Sequence, residues 1–173
     1  AYSTATGAIQ IVPLVTCNFS PANVGELRTD IGTANGNGTP DTICLSPTGN
    51  YSMSDAPSGY TADGSNGLPS ITSDITLIGN GGTATLARAT GSPNFRILRV
   101  ASGGSLTLNN VIVQGGNAGS SGGGGIRNLG TLTLLNGSKV QSNTAAGGGG
   151  IYNLNGTVNL SGGSQVLGNT STS

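Results

Sequence analysis

The chain has 173 residues, enough for one domain with a real core, yet it carries 32 glycines, only 7% charged residues and 3% aromatics, with no His and no Trp. So few charges exclude a conventional helical surface of Glu and Lys, and glycines clustered at 122–125 and 147–150 exclude the every-third-residue spacing of collagen. Net charge is zero, but all six acids (Glu26, Asp30, Asp41, Asp55, Asp63, Asp74) share the first 74 residues with one base, Arg28, while Arg88, Arg96, Arg99, Arg127 and Lys139 follow without any acid, so the two parts carry −5 and +5.

A start at Ala1-Tyr2 without Met reads as a processed end, as after signal-peptide removal. Ile9-Gln10-Ile11-Val12-Pro13-Leu14-Val15 is strand-like but broken by Pro13, which suits a sheet edge. The longest apolar stretch, Ala8 to Val15, is far shorter than the roughly 20 residues a membrane helix needs, so no membrane insertion is expected. Cys17 and Cys44 allow one pairing, a disulfide closing a loop of about 27 residues; two buried thiols are the alternative. Glu26 to Ala34 is the one plausible helix, with Leu27, Ile31 and Ala34 on one face, and it is expected to stop at Asn35-Gly36. Asp41 to Leu45 reads as a strand and Pro57 to Pro69 as a loop. Residues 1–70 are expected to form an amino-terminal strand and cap, and residues 71–173 the body of the fold.

That body is organised by a repeat. Four glycines and Ile126-Arg127-Asn128-Leu129 recur as four glycines and Ile151-Tyr152-Asn153-Leu154. The match continues from Val140 and Asn143 to Val166 and Asn169, and looser copies run through Phe95 to Val113 and Ile71 to Leu86. Each copy holds three short period-two pieces separated by Gly/Asn turns, too short for helices. Stacked as successive coils, about four in number, they predict an all-β solenoid with three strands per coil, a parallel β-helix. Ile126, Leu132, Leu134, Val140, Ile151, Val158, Leu160 and Val166 are expected to line one lumen. Asn128 with Asn153, and Asn143 with Asn169, are expected to stack as side-chain amide ladders.

The order Leu27-Arg28, Ile31, Ala34-Asn35, Asp41-Thr42-Ile43, then Gly67 to Gly81 and the Gly-rich Ile151-Tyr152-Asn153-Leu154 repeat, resembles bacterial secreted right-handed parallel β-helix proteins. The likeness is to those with a CSLREA-type amino-terminal motif and to the Gly-Gly-Ala-Ile repeats of polymorphic outer-membrane proteins, and it covers about residues 24 to 170. Gly25-Glu26 stands where that motif has Cys-Ser, and Thr29-Asp30 where it has Glu-Ala. The resemblance implies a right-handed β-helix at a cell surface or in the medium, and implies location more than chemistry.

Without His, triads and metal sites that depend on it are excluded. Polysaccharide cleavage on a β-helix would need clustered carboxylates; only Asp55, Asp63 and Asp74 are candidates, so no catalytic residue, metal or cofactor is expected. Arg96 and Arg99 beside Phe95 are too few for a nucleic-acid groove. The sequons Asn18-Phe19-Ser20 and Asn50-Tyr51-Ser52 permit glycans. Ice binding would need Thr-x-Thr pairs in every coil, and the aligned pairs Asp74/Thr76, Ser105/Thr107, Thr131/Thr133 and Thr157/Asn159 include one. The expected function is a secreted, non-enzymatic subunit that joins copies of itself head to tail in a filament or sheath, through Ile9, Ile11, Val12, Leu14, Val15, Val166 and Leu167. A piece of a larger surface adhesin or passenger β-helix is the alternative.

Overall fold

In Thr131-Leu132-Thr133-Leu134, both leucines are fully buried and both threonines partly exposed, and this alternation recurs from coil to coil. It selects strands with one face to a common lumen. The computed structural model describes residues 15–172, so Ile9, Ile11, Val12 and Leu14 lie outside the described residues. The first coil holds β1 (Asp41–Leu45) and β2 (Ser52–Met53), and the second β3 (Asp74–Gly79), β4 (Ala84–Arg88) and β5 (Leu98–Val100). The third holds β6 (Ser105–Asn109), β7 (Val111–Gln114) and β8 (Ile126–Asn128), and the fourth β9 (Thr131–Leu135), β10 (Lys139–Gln141), β11 (Thr144–Ala145) and β12 (Ile151–Asn153). A further part-coil follows with β13 (Thr157–Leu160), β14 (Gln165–Leu167) and β15 (Thr170–Ser171).

Every strand pairs in parallel with its counterpart in the next coil. One sheet runs β1-β3-β6-β9-β13, a second β2-β4-β7-β10-β14, a third β5-β8-β12, and β11 pairs with β15. The described residues form a parallel β-helix of about four turns with a single helix near the amino-terminal end. The two longest sheets begin at β1 and β2, so the coils reach back to Asp41, inside the region expected to be a cap. The expected loop gives a third side to the first coil through a single bridge from Asn66 to Arg96, continued just beyond it by one from Ile71 to Val100.

Helix α1 (Val24–Asn37) closes the lumen at this end with Leu27, Ile31 and Ala34, all fully buried. Asn23 caps it by accepting from the Glu26 amide at 3.0 Å, while the Glu26 carboxylate accepts from the Ala22 amide and the Asn23 side chain, each at 2.8 Å. The helix passes through Gly36, the expected stop, and ends at Gly38, whose φ of 74° no other residue adopts as cheaply. Residues 18–23 then cover the outer edge of β1: the Asn18 amide donates to Thr42 O at 2.8 Å and the Cys44 amide to Phe19 O at 2.9 Å.

Elsewhere the glycines serve crowding. A Cβ on Gly124 would overlap the carbonyl oxygens of Thr144 and Gly149, where two coils meet at a corner.

Leu134→Ala is expected to lower stability by about 2–5 kcal/mol, and Thr133→Ala, on the outer face, by less than about 0.5 kcal/mol, in urea unfolding. Glycine should behave oppositely at two sites. Gly32→Ala, on the open side of α1, should raise stability by about 0.5–1 kcal/mol, whereas Gly124→Ala should lower the thermal midpoint.

Candidate functional site

The lumen positions divide by coil. Ile126, Leu132, Leu134 and Val140 are fully buried, and Ile151 and Val158 are half-buried against them. Leu160 and Val166 keep the register, opposite Leu134 and Val140, but are 46% and 43% exposed because no described coil lies beyond them. Leu167 pairs with Gln141 on the outward face of β14, so it borders this open end without lining it. Val15, also named for assembly, is exposed at the opposite end of the described chain.

The asparagines meet as pairs. Asn128 Nδ2 donates to Asn153 Oδ1 at 2.7 Å and to Thr157 O at 2.9 Å, and Asn143 Nδ2 donates to Asn169 Oδ1 at 3.0 Å. Asn143 is buried and also accepts from the Gly116 amide at 2.8 Å, so its side chain satisfies turn backbone in the coil before as well as the amide in the coil after. Cys17 and Cys44 form a disulfide, Cα atoms 5.7 Å apart, that staples the edge segment to β1.

The least expected feature is a cluster of arginines at the third sheet. Arg96 is fully buried, yet its guanidinium is met by Asn66 Oδ1 at 2.7 Å, Gly123 O at 2.9 Å, Gly122 O at 2.7 Å and Asp63 O at 3.2 Å. Burial, and then the charge of Arg127, bring its pKa down to about 10, still well above neutrality. Arg99 Nε and Nη2 both lie 2.8 Å from Asp63 Oδ2. Arg127, directly in register with Arg99, places Nε 3.5 Å from the same oxygen, in an ion pair without a hydrogen bond, and its guanidinium lies 5.4 Å from the centre of the Tyr152 ring. The hydrogen bond from Arg99 holds the Asp63 carboxyl below its ordinary 3.8 against some burial, helped by the three nearby positive charges. Asp63 itself sits at φ 55°, in the left-handed region.

The sequence pairs Arg96 with Arg99 and groups Asp63 with Asp55 and Asp74, and it does not join Asp63 and Arg127 to the two arginines. One signal was present: Arg99, Arg127 and Tyr152 occupy the same repeat position. The three candidate acids do not gather. Asp55 is 2.9 Å from Arg28, Asp63 belongs to the arginine cluster, and Asp74 stands opposite Ser105 on an outer ladder. Among the described residues no three metal-ligating side chains cluster, and no helix is long and apolar enough to cross a membrane.

Comparison of the chain with protein families, curated proteins and solved structures returns no match.

The lowered pKa of Asp63 gives a pH dependence of definite sign. The unfolded chain binds this proton more readily, so the stabilisation is complete above the ordinary carboxylate value and lost as pH falls through the lower folded value. Melting curves from pH 6 to 2 are expected to show a smaller acid loss of stability for Asp63→Asn than for the parent chain.

Proposed function

We propose that the chain is a secreted, non-catalytic structural subunit that stacks head to tail, open coil against the α1 end of the next copy, in an extracellular filament or sheath. The observation that carries this reading is the open coil. Leu160 and Val166 hold lumen positions while nearly half exposed, and β12, β13, β14 and β15 are the last members of their sheets, each with an edge that no described strand pairs. Such an edge and an apolar cavity together are a template for further β-structure.

Polarity comes from charge. The α1 end carries Glu26, Asp30, Asp41 and Asp55 against Arg28, whereas every other base lies from β4 onward. The open coil is uncharged, with Lys139 as the base nearest to it, so the acidic α1 end meets it without repulsion whereas two α1 ends would repel, and head-to-tail contact is favoured over α1-to-α1 contact. A heterologous contact of this kind does not close on itself, so it yields fibres. The disulfide and the lack of His fit an oxidising location and a non-enzymatic role.

Ice binding has less support. The outward ladder Thr76, Thr107, Thr133 passes to Asn159, and its neighbour Ser105, Thr131, Thr157 is headed by Asp74.

Leu160→Lys and Val166→Lys are expected to abolish elongation at a small cost to the melting temperature of the subunit, since both side chains are already nearly half exposed in the isolated molecule and a Lys can carry its ammonium into solvent. Electron microscopy and light scattering on native material measure this. A stable monomer at high concentration overturns the proposal, and an intact native mass well above that of these 173 residues assigns the open coil to later coils of a longer adhesin.

A further inference from the structure

Three guanidinium groups surround Asp63 in the cluster at the third sheet, two of them paired with its carboxylate, and their hydrogen bonds are unevenly filled. Arg96 spends its donors on carbonyls, on Asn66 and on the backbone of Asp63. Arg99 is engaged by Asp63, with Ser70 Oγ at 3.4 Å from Nη1. The Arg127 guanidinium makes no hydrogen bond to any described residue; its contacts are the 3.5 Å ion pair and the Tyr152 ring. The Tyr152 hydroxyl likewise has no described partner.

Register makes this deficit unusual. Arg99, Arg127 and Tyr152 succeed one another across β5, β8 and β12, so two like charges stand on adjacent strands, about 4.8 Å apart. Like charges directly opposite are unfavourable unless an anion bridges them. Asp63 bridges them incompletely, and no acid follows Asp74 in the chain to complete the job. Both arginines are held firmly, with side chains 14% and 16% exposed, so the fork is fixed before any ligand arrives.

We propose that Arg99, Arg127 and Tyr152 form a binding site for the carboxylate of a uronic-acid-containing polysaccharide. The Nη groups of Arg127 donate to the carboxylate, its buried Nε being turned to Asp63. The Tyr152 ring packs over Gly122, where a Cβ would strike it, 5.4 Å from the Arg127 guanidinium, and its phenol supplies a donor for a sugar oxygen. The Ser70 hydroxyl borders the site on the Arg99 side, 3.4 Å from Nη1. A nucleic acid fits poorly, because the remaining bases, Arg88 and Lys139, belong to the second sheet and provide no row of phosphate contacts. An acidic peptide brings carboxylates without the dense ring hydroxyls of a sugar that the Tyr152 phenol would meet, and polyglutamate stands for it in the test.

The test is calorimetric titration of the full chain at low ionic strength with trigalacturonate, acetate and a short polyglutamate. Trigalacturonate is expected to bind saturably and more tightly than either of the others. Arg127→Ala should weaken it by about tenfold or more, and Lys139→Ala on the second sheet should leave it unchanged. Asp63→Asn supplies the opposite sign: with the competing carboxylate removed, trigalacturonate should bind several-fold tighter, a gain that a purely structural role for the cluster does not produce. Asn is the replacement most at home at the left-handed Asp63 backbone. The proposal is overturned by an absence of saturable trigalacturonate binding at millimolar concentration, or by equal affinity of the parent chain and Arg127→Ala. Acetate or polyglutamate binding as tightly as the uronate overturns the assignment to a polysaccharide.

Discussion

The structure depends on in-register parallel stacking. Because each strand hydrogen-bonds to its counterpart one coil away, a side chain's surroundings are set chiefly by the residues at the same position in the coils before and after it. Leu106, Leu132 and Val158 follow one another down the lumen, and Thr107, Thr133 and Asn159 follow one another outside. Favourable pairs are thereby repeated, and so are unfavourable ones. The aliphatic column buries apolar surface at every step, the asparagine pairs hand one amide hydrogen bond to the next, and the corner glycines admit carbonyls that any Cβ would strike.

The same constraint explains which elements could be read from the sequence. Coils repeating after 26 residues, as Thr131 to Thr157, are visible because matched residues fall at constant spacing. Nearer the amino terminus the spacing loosens to 31 residues, Asp74 to Ser105, and the match becomes faint. The first coil lacks two of the three signals: β2 has two residues, and its third side is held by isolated bridges at Asn66 and Ile71, with no strand pattern to announce it. The helix was placed correctly on Leu27, Ile31 and Ala34 but cut short at Gly36. That glycine occupies open space on the helix surface, where its lack of a side chain weakens helix propensity without breaking the packing.

The arginine cluster was hidden for a different reason. Its members are separated by 33 to 36 residues where Asp63 meets Arg96 and Arg99, and a loop of irregular length carries the acid to them. Charge order along the sequence therefore overstates charge separation in space. Asp63 belongs to the acidic part of the sequence and to the basic part of the surface, so the axial dipole is smaller than the −5 and +5 split suggests. What remains of it rests on the acids around α1.

The solenoid also has a mechanical character, and its two ends differ in it. Each coil touches only its neighbours, so tension applied at the β15 end would peel the outermost coil first and leave the rest intact. A coil of 26 residues pays out about 85–90 Å of extended chain as it lets go. Force records would then show evenly spaced teeth, widening as unravelling reaches the longer coils nearer α1. At that end the link between Cys17 and Cys44 sets a limit, because the segment it encloses cannot be drawn out while the covalent loop stays closed. The molecule would act as a ratchet of repeated, reversible releases, anchored on a stop that no pull can unzip.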